Sequence, residues 1–575
     1  MEHNGETGGN GAVAVLIHDE SAAALATLER STLAALRHFG IPFRLLAMGG
    51  LPDGFFSSAA GALPAVLLPQ TGSLGHLSSA AQRDLAAAVR SGLGLVAYDS
   101  RPAEIPAEIL RLAGLSGLDP ARGSFKFLVT GSRDHYIGWL RVVGERLEMD
   151  APLECGRLPF DVPPAERFLS TESGWPLVRA ARVEKGRIVL FPFDARLFTM
   201  EHLGHACGMD DVFTRSVVWA ARKPFLTYMM PPMAGLGIDD CSGGYNHFRW
   251  VDVMNAHGWK PSLCVFADAV DEVAHENVGE DAKKLREGVE AGTLEVVFHG
   301  LRYNESFCFD HLGQKPLGPG ELADRFARWD HYEKKWGFKH GPWAHPHFGE
   351  IGRNAVPYYR ERGIRFLTWL LPFDAGWFDV PTKVPPLPPL APFGHGGYYM
   401  QAIPEFPELT TFESILDRKT RESTAYVAKT DYLWNNTVFW DEAPDTRLQE
   451  AARTIAEQVR RGLDAGFYGD AATHEQRIAC LKPAEWKALW QEAGRLLERY
   501  PIEHRRLSDC MDYMKRRAGA TLSSVEIPAC GGAPRYEFTG DDCVGTFLQV
   551  HADKDNGMVE TRQHGIRARR GSAEA

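Results

Sequence analysis

The chain has 575 residues, of which 44% are hydrophobic and 24% charged, and its formal net charge at pH 7 is −11. These fractions are ordinary for a globular protein, and the acidic balance argues against nucleic acid and anionic membranes as main partners. No uninterrupted apolar stretch is long enough to span a bilayer. A single core stops growing at about 250–300 residues, so several domains are expected. The 9 cysteines are scattered and odd in number, which fits a reducing compartment better than a disulfide framework.

The first part of the chain, to about Arg222, alternates short apolar runs with amphipathic segments. Met1 to Glu6 are polar and acidic and lack the features of a signal peptide, so we expect a cytoplasmic protein. The alternation of apolar runs with amphipathic segments predicts an α/β domain over residues 1–222, with a doubly wound parallel sheet covered by helices on both faces. The predicted strands are 12–17, 65–68, 95–98 and 186–194, and the predicted helices are 21–38, 78–91 and 209–221.

The strand predicted at 95–98 runs into Asp99, Ser100, Arg101 and Pro102. The pattern of this domain is similar to the class I glutamine amidotransferase-like superfamily, without a sharp motif. Amidotransferases of that superfamily carry a cysteine on a strand-to-helix elbow, and no cysteine stands here. The resemblance therefore implies a non-catalytic domain that positions substrate or mediates assembly. We interpret Asp99 and Ser100 as turn residues, with ligand binding as the alternative.

The pair Asp239–Asp240 ends an apolar run, 236–238, in the central region. Two adjacent carboxylates at the end of a buried strand must be paired, hydrogen-bonded or bound to metal. At a frayed strand end both can face one pocket, where one holds a metal ion and the other takes a proton from the metal's water. An aspartate pair in a strand-to-turn junction is the alternative interpretation.

Histidines follow other short apolar stretches farther along the chain. His299 follows the run 294–298, while His345 and His347 follow Trp343-Ala344. A lone histidine is more often a core or surface residue than a ligand. Several strands that each deliver Asp or His at their carboxyl end are typical of a barrel with its site at one face. The last of these histidines is His474.

This order of motifs resembles the polysaccharide deacetylase superfamily, the NodB-homology or carbohydrate esterase 4-like proteins, over roughly residues 225–482. The resemblance implies an imperfect (β/α) barrel, which we place at residues 223–517. It also implies one divalent metal ion, expected to be zinc, with other transition metals left open. The implied roles are catalytic base for Asp239, metal ligand for Asp240 and His299, and general acid for His474.

The chain departs from the family pattern at the second metal-binding histidine. That histidine belongs on the turn after His299, where Tyr303 and Asn304 stand instead. We expect Asn304 to ligate through its side-chain carbonyl oxygen, with His311 or a histidine of the 345–347 segment as alternatives. An amide oxygen makes the ligand set harder and favours oxygen-tolerant ions.

A second departure concerns the substrate side. His345 stands where the family motif has an arginine. We predict that His345, His347 and Trp369 contact the substrate, because sugars stack on aromatic faces and aromatic residues gather near Trp369. Ordinary core and loop aromatics are the alternative interpretation of that group.

These residues predict a metal-dependent deacetylase or amide hydrolase. Metal-bound water attacks an acyl carbonyl, Asp239 takes its proton, and His474 protonates the leaving amine. The expected substrate is an N-acetylated sugar or a related acylamine, as a small molecule or a glycan. One alternative is hydrolysis of a non-carbohydrate C–N bond in small-molecule metabolism; another is a non-catalytic carbohydrate-binding or scaffold protein on a deacetylase fold. The oligomeric state is left open, a homo-oligomer included.

The C-terminal region changes character near Ala518. Helices are predicted at 445–463, 482–500 and 505–517, and short β-like runs follow. We predict a small β-rich appendage over 518–575, as a structural cap or, alternatively, an accessory sugar-binding module. The arginine-rich tail, Gly565 to Ala575, is predicted to be disordered.

Overall fold

The structure is a computed structural model in which two compact units are distinguished: Met1–Met230 together with Arg516–Ala575, and Pro231–Lys515. The predicted boundaries were 222/223 and 517/518, and residues 516–575 group here with the N-terminal residues. None of the described helices is long and apolar enough to cross a membrane. The residues described are 8–59, 63–101, 104–115, 119–158, 162–199, 201–243, 247–268, 270, 278–310, 312–313, 315–347, 352–368, 400–403, 406–412, 445–479, 481–528, 532–540 and 542–573.

The N-terminal part of the first unit is built on a mixed sheet with strand order β2-β1-β3-β4-β9-β8, in which only the β8 edge strand is antiparallel. Alternate residues of β1 enter different core clusters, Val13 and Val15 on one face and Ala14 and Leu16 on the other. The sheet is therefore covered on both faces, and the α/β prediction is confirmed. The strands are β1 Val13–Ile17, β2 Phe43–Ala47, β3 Ala65–Leu68, β4 Gly94–Tyr98, β5 Asp119–Thr130, β6 Arg146–Arg157, β7 Leu169–Thr171, β8 Arg179–Val183 and β9 Gly186–Phe191.

The three predicted helical segments of this part are present, and the short helices α3, α4 and α6 were not predicted. The segment predicted as one helix from Ser21 to His38 is α-helical at both ends and π-helical at Glu29–Leu33. Ser21 and Ser78 each accept a backbone N–H and so begin their helices. The helices are α1 Ala22–Leu28, α2 Ala34–His38, α3 Phe55–Ala59, α4 Ser73–His76, α5 Ser79–Arg90, α6 Ala107–Leu112 and α7 Asp210–Ala220.

An antiparallel sheet that the sequence analysis did not predict lies between β4 and β8 in the chain. Its strand order is β6-β5-β7. Along β6, Leu147, Met149, Leu153 and Cys155 are buried while most intervening residues are exposed, the period of two expected of a half-buried strand.

The second unit contains a sheet with strand order β18-β19-β17-β16-β13-β12-β11-β20, to which β21 adds beside β11. All these pairings are parallel except β18 with β19, and no pairing among the described strands joins β18 to β20. The α/β character is confirmed, and closure into an imperfect barrel stays a prediction. The strands, with β10 of the first unit before them, are β10 Phe225–Thr227, β11 Met233–Cys241, β12 Pro261–Phe266, β13 Glu295–Gly300, β14 Phe309–Asp310, β15 Lys315–Pro316, β16 His340–Ala344, β17 Phe366–Thr368, β18 Met400–Ile403, β19 Phe406–Phe412, β20 Gly469–His474 and β21 Glu503–His504.

Helices separate the parallel strands of this unit. Because the strands are parallel, the carboxyl ends of β11, β13, β16 and β20 meet at one edge, where the chemistry-bearing residues lie. The helices are α8 Arg249–Ala256, α9 Val278–Ala291, α10 Pro319–Trp336, α11 Val356–Glu361, α12 Asp445–Asp464, α13 Glu475–Ala479, α14 Pro483–Leu497 and α15 Leu507–Ala518.

The C-terminal residues are β-rich as predicted, but the prediction of a disordered tail was wrong. Arg570–Ser572 forms a strand that pairs with Arg535–Thr539, and the Arg570 guanidinium donates to Glu537. Ile566 and Ala573 are buried, so the tail is held by backbone pairing, charge and packing. The strands are β22 Thr521–Glu526, β23 Arg535–Thr539, β24 Phe547–Asp553, β25 Val559–Gly565 and β26 Arg570–Ser572.

Candidate active site

A β-bulge at the end of β11 brings two neighbouring carboxylates together. The register of β11 against β12 shifts between Ile238 and Cys241, and Asp240 has a φ of 53°. Side chains of adjacent strand residues normally point to opposite faces, and a bulge re-aims one of them. Oδ1 of Asp239 and Oδ1 of Asp240 consequently lie 3.3 and 3.2 Å from the same atom, Nε2 of His299.

The imidazole of His299 is fully buried at the end of β13, and its orientation is set by the main chain. Its Nδ1 lies 2.5 Å from the carbonyl oxygen of His345. Because a carbonyl only accepts, Nδ1 carries a proton, and Nε2 is the ring nitrogen that faces the two aspartates. Nε2 donates to Asp240 when it is protonated and would offer its lone pair to a metal ion when it is not. Histidines that bind metal ions in proteins are commonly held in this way.

His347 has the same arrangement with its ring nitrogens exchanged. Its Nε2 donates to the main-chain carbonyl of Tyr303 across 3.0 Å, and its Nδ1 faces Oδ1 of Asp240 at 3.2 Å, where it donates when protonated and would offer its lone pair to a metal ion when not. His347 is 6% exposed. Tyr303, the fourth residue after His299, thus supplies a carbonyl that orients a histidine from the segment after the neighbouring strand β16.

Three overlapping groups of side chains bring candidate ligand atoms within 4.8 Å of one another. Asp240, His299 and His347 form the group in which both imidazoles are oriented by carbonyls. Buried carboxylate and imidazole donors suit a divalent transition metal such as zinc. The other two groups are Asp239 with Cys264 and His299, and Asp239 with Asp240 and His474.

Asp239 lies on the other side of this group, between two histidines. Its Oδ2 is 3.2 Å from Nε2 of His345 and 3.7 Å from Nε2 of His474. In the β11–β20 pairing Asp239 is the partner of His474, so the sheet register itself places them side by side. The His474 side chain is 18% exposed and that of Asp239 9%, so His474 is the more accessible of the two.

The charges of this cluster are strongly coupled. Burial alone would raise the pKa of Asp239, but the imidazoles of His345 and His299 outweigh it and hold the pKa well below its usual range. The pKa of Asp240 is also lowered, by hydrogen bonds with His299 and His347 that outweigh burial and the neighbouring Asp239. Both carboxylates are therefore ionised at neutral pH, as a metal ligand and a proton acceptor must be.

The structure brings most of the predicted site residues together. Asp239, Asp240, His299 and His474 converge as described. Of the predicted substrate contacts, His347 faces Asp240, and His345 is buried beside Asp239. Asn304 is exposed. Trp369 and His311 lie outside the described residues.

Two residues close to the site were not assigned by the sequence analysis. Cys264, in β12, lies among the ligand atoms of Asp239 and His299, and burial raises the pKa of its thiol well above the usual range. Glu475 follows His474 directly and accepts the backbone N–H groups of Ser242 and Gly243. The sequence signal for Glu475 was its position directly after His474, the candidate acid. Nothing in the local sequence marks Cys264.

No family model matches the chain, and no curated protein matches it. Among solved structures it is similar to a family 4 carbohydrate esterase from Streptomyces lividans in complex with acetate, at 11% identity and a TM-score of 0.26, over 48% of this chain and 92% of that one. A protein described as a polysaccharide deacetylase from Mycobacterium smegmatis matches at 12% identity and a TM-score of 0.32, over 50% of this chain and 91% of that one. A ThuA-like protein from Bacteroides uniformis matches at 11% identity and a TM-score of 0.28, over 38% and 95%. At such TM-scores, function must be argued from the site residues.

Proposed function

We propose that this protein is a metal-dependent amide hydrolase that removes an acyl group from an N-acylated sugar or a related acylamine. The observation that carries the proposal is the convergence of Asp240, His299 and His347, with Asp239 and His474 beside them. Hydrolysis of an amide at a metal centre needs three protein ligands for the ion, a separate proton acceptor and a separate proton donor.

The residues present fit a divalent ion. The donor atoms are one carboxylate oxygen, Nε2 of His299 and Nδ1 of His347, and the remaining ring nitrogen of each histidine is engaged with a main-chain carbonyl. A divalent ion held there would supply Lewis-acid polarisation of the acyl carbonyl and a lowered pKa for water. Asn304 is not needed as a ligand in this arrangement.

Asp239 is suited to accept a proton from the attacking water. It is ionised, and His345 holds its Oδ2 in place at 3.2 Å. An oriented carboxylate can take a proton without first reorganising, which is how a positioned base lowers the barrier.

His474 is suited to protonate the leaving amine. It approaches the carboxylates from a different strand, with Nε2 3.7 Å from both Asp239 and Asp240, and it is partly accessible. An amine leaves poorly as an anion, so the nitrogen must receive a proton as the C–N bond breaks.

Metal analysis of the purified protein and its His299→Ala variant tests the proposal. Near-stoichiometric metal in the wild type and its loss in the variant are expected, with Asn304→Ala as the matched control that keeps the ion. Release of acetate from N-acetylglucosamine oligomers and from simple N-acetylated amines would then show the reaction and its substrate class.

Asp239→Asn separates catalysis from metal binding. The amide keeps the shape of the side chain but accepts no proton at neutral pH, so turnover should fall by about 10²–10⁴ while the metal content is unchanged. Full turnover in Asp239→Asn would show that Asp239 is not the base. A wild type that takes up no zinc, nickel, cobalt or manganese would favour the non-catalytic binding or scaffold alternative.

A further inference from the structure

Glu475 connects the strand that carries His474 to the turn that follows Asp239–Asp240. Its side chain is buried, with 4% of the residue exposed, and its Oε2 accepts the backbone N–H of Ser242 at 2.6 Å and of Gly243 at 3.1 Å. One carboxylate oxygen therefore fixes two successive peptide groups, directly beyond the bulge that carries the candidate metal ligand.

The segment after the bulge needs such support. Asp240 has a φ of 53° and Gly243 a φ of 85°, so the backbone enters the left-handed region twice within four residues. A non-glycine residue keeps this conformation only when its surroundings impose it. At Gly243 a Cβ would stand 2.7 Å from the carboxyl carbon of Asp281, so the chain is also confined from the helix α9 side.

Packing alone does not explain a glutamate at this position. Burial raises the pKa of Glu475 to about 7, an effect that the backbone N–H bonds oppose and that Asp281 adds to. A buried carboxyl group is unfavourable compared with an apolar side chain of similar size. Its contribution lies in the two N–H groups that it orders, which an apolar side chain cannot bind.

We propose that Glu475 is a positioning residue that holds residues 240–243 so that the carboxylates of Asp239 and Asp240 face Nε2 of His299 together. This inference rests on the proposed function for its link to catalysis. The strand pairing of Asp239 with His474 places the base and the acid directly beside the turn that Glu475 binds.

Metal binding by Glu475 variants tests the inference, with Co²⁺ as the probe because its visible spectrum reports coordination geometry. Glu475→Ala should weaken Co²⁺ binding by at least about tenfold and change the spectrum. Glu475→Gln should bind within about threefold of wild type, since its amide oxygen can accept both N–H groups. Glu475→Asp, whose side chain is one methylene shorter, should have an intermediate Co²⁺ affinity. It replaces the alanine variant in this test if that variant does not fold.

Asp84 provides the matched control in the first unit. Its carboxylate also accepts two successive backbone N–H groups, those of Phe56 and Ser57. Asp84→Ala should lower the melting temperature and leave Co²⁺ binding unchanged. The inference would be overturned if Glu475→Ala bound Co²⁺ with wild-type affinity and an unchanged spectrum. If only Glu475→Asp folds, the same result in that variant would overturn it.

A crystal structure of the metal-free alanine or aspartate variant separates this inference from the proposed function. We expect Asp240 to leave its positive φ and its carboxylate to turn away from His299. An unchanged 240–243 segment would overturn the positioning role even if the wild type proved to be a hydrolase. A displaced segment would support it even if the wild type bound no metal, which would contradict only the proposed function.

Discussion

Tyr303 and His347 are joined by a hydrogen bond in which the imidazole Nε2–H of His347 donates to the main-chain carbonyl of Tyr303 across 3.0 Å. Tyr303 stands four residues after His299, on the stretch where a second metal-binding histidine was expected. The chain uses that position for a carbonyl and draws the imidazole from the segment after β16. In the proposed metal site the ligand type would thereby be kept while its place in the sequence changes.

The first prediction contrasts His347 with Asn304. His347→Ala removes a donor atom 3.2 Å from Asp240 and should weaken metal binding by at least about 100-fold, whereas Asn304→Ala, at an exposed position, should leave it within about twofold. Competition with a chromophoric chelator measures both affinities. The opposite ranking would restore Asn304 as the ligand and place His347 outside the metal site.

The second prediction concerns the loop that carries the Tyr303 carbonyl. Arg328 lies 2.7 Å from Glu305 and 3.0 Å from Asp268, and Asp268 is also bound by Arg302, so the loop is tied on both sides of Tyr303. Arg328→Met removes the guanidinium that bonds both Glu305 and Asp268, so the loop loses two of the contacts that fix it. Metal affinity should fall by about tenfold, because the carbonyl that orients His347 is no longer fixed.

Arg362 gives the control for this second experiment. It makes a bidentate pair with Asp330 on the same helix, α10, without contacting the Tyr303 loop. Arg362→Met should leave metal affinity unchanged by the same chelator assay. Equal effects of the two substitutions would mean that loss of any arginine that forms an ion pair at this helix perturbs the unit, and the orientation of His347 by the loop would not be supported.

The parts of the site that sequence could predict are those that each lie within one short segment. Asp239–Asp240 and His299 follow apolar runs that are long enough to be strands, and strand ends at one edge of a parallel sheet meet. The histidine that faces Asp240 could not be chosen from the sequence, because the choice depends on how far the 345–347 segment reaches toward Asp240. That distance is a property of the β13–β16 pairing and its irregular register.

The same limit applies to the fold. The helix at Asp445–Asp464 was predicted to within one residue because its apolar stripe repeats locally. Strand β5 was missed, since its first residues include Pro120 and Gly123, which are typical of turns. The composition of the tail predicts disorder, yet Arg570 donates to Glu537, thirty-three residues away in the chain, and composition cannot reveal such a partner.

The third prediction separates the acid from the base by the choice of leaving group. His474→Gln removes a proton donor, so hydrolysis of an N-acetylated amine should fall by about 10²–10⁴. Hydrolysis of 4-nitrophenyl acetate should change by less than about tenfold, because nitrophenolate leaves without being protonated. Asp239→Asn is the comparison, since loss of the base should slow both substrates. Equal losses for both substrates in His474→Gln would assign His474 a role other than general acid.

The fourth prediction concerns stability and Asp99, at the end of β4. Burial raises the pKa of Asp99 from 3.8 to about 6. Between these values the folded state holds a proton that the unfolded chain releases, so stability falls as the pH rises from about 4 to about 6. Above that window the ionised, buried carboxylate lowers the free energy of unfolding by about 3 kcal/mol relative to an unshifted group.

Asp99→Asn removes this ionisation while its amide oxygen can keep the hydrogen bond from the Arg101 N–H, 2.8 Å long in the wild type. The variant should therefore unfold at a higher temperature than wild type at pH 8 and at nearly the same temperature at pH 4, when both are measured by scanning calorimetry. Asp53→Asn, at an exposed position, should show no such pH-dependent difference. A difference between Asp99→Asn and wild type that is the same at both pH values would mean that Asp99 does not titrate in this window, and that the substitution acts through packing.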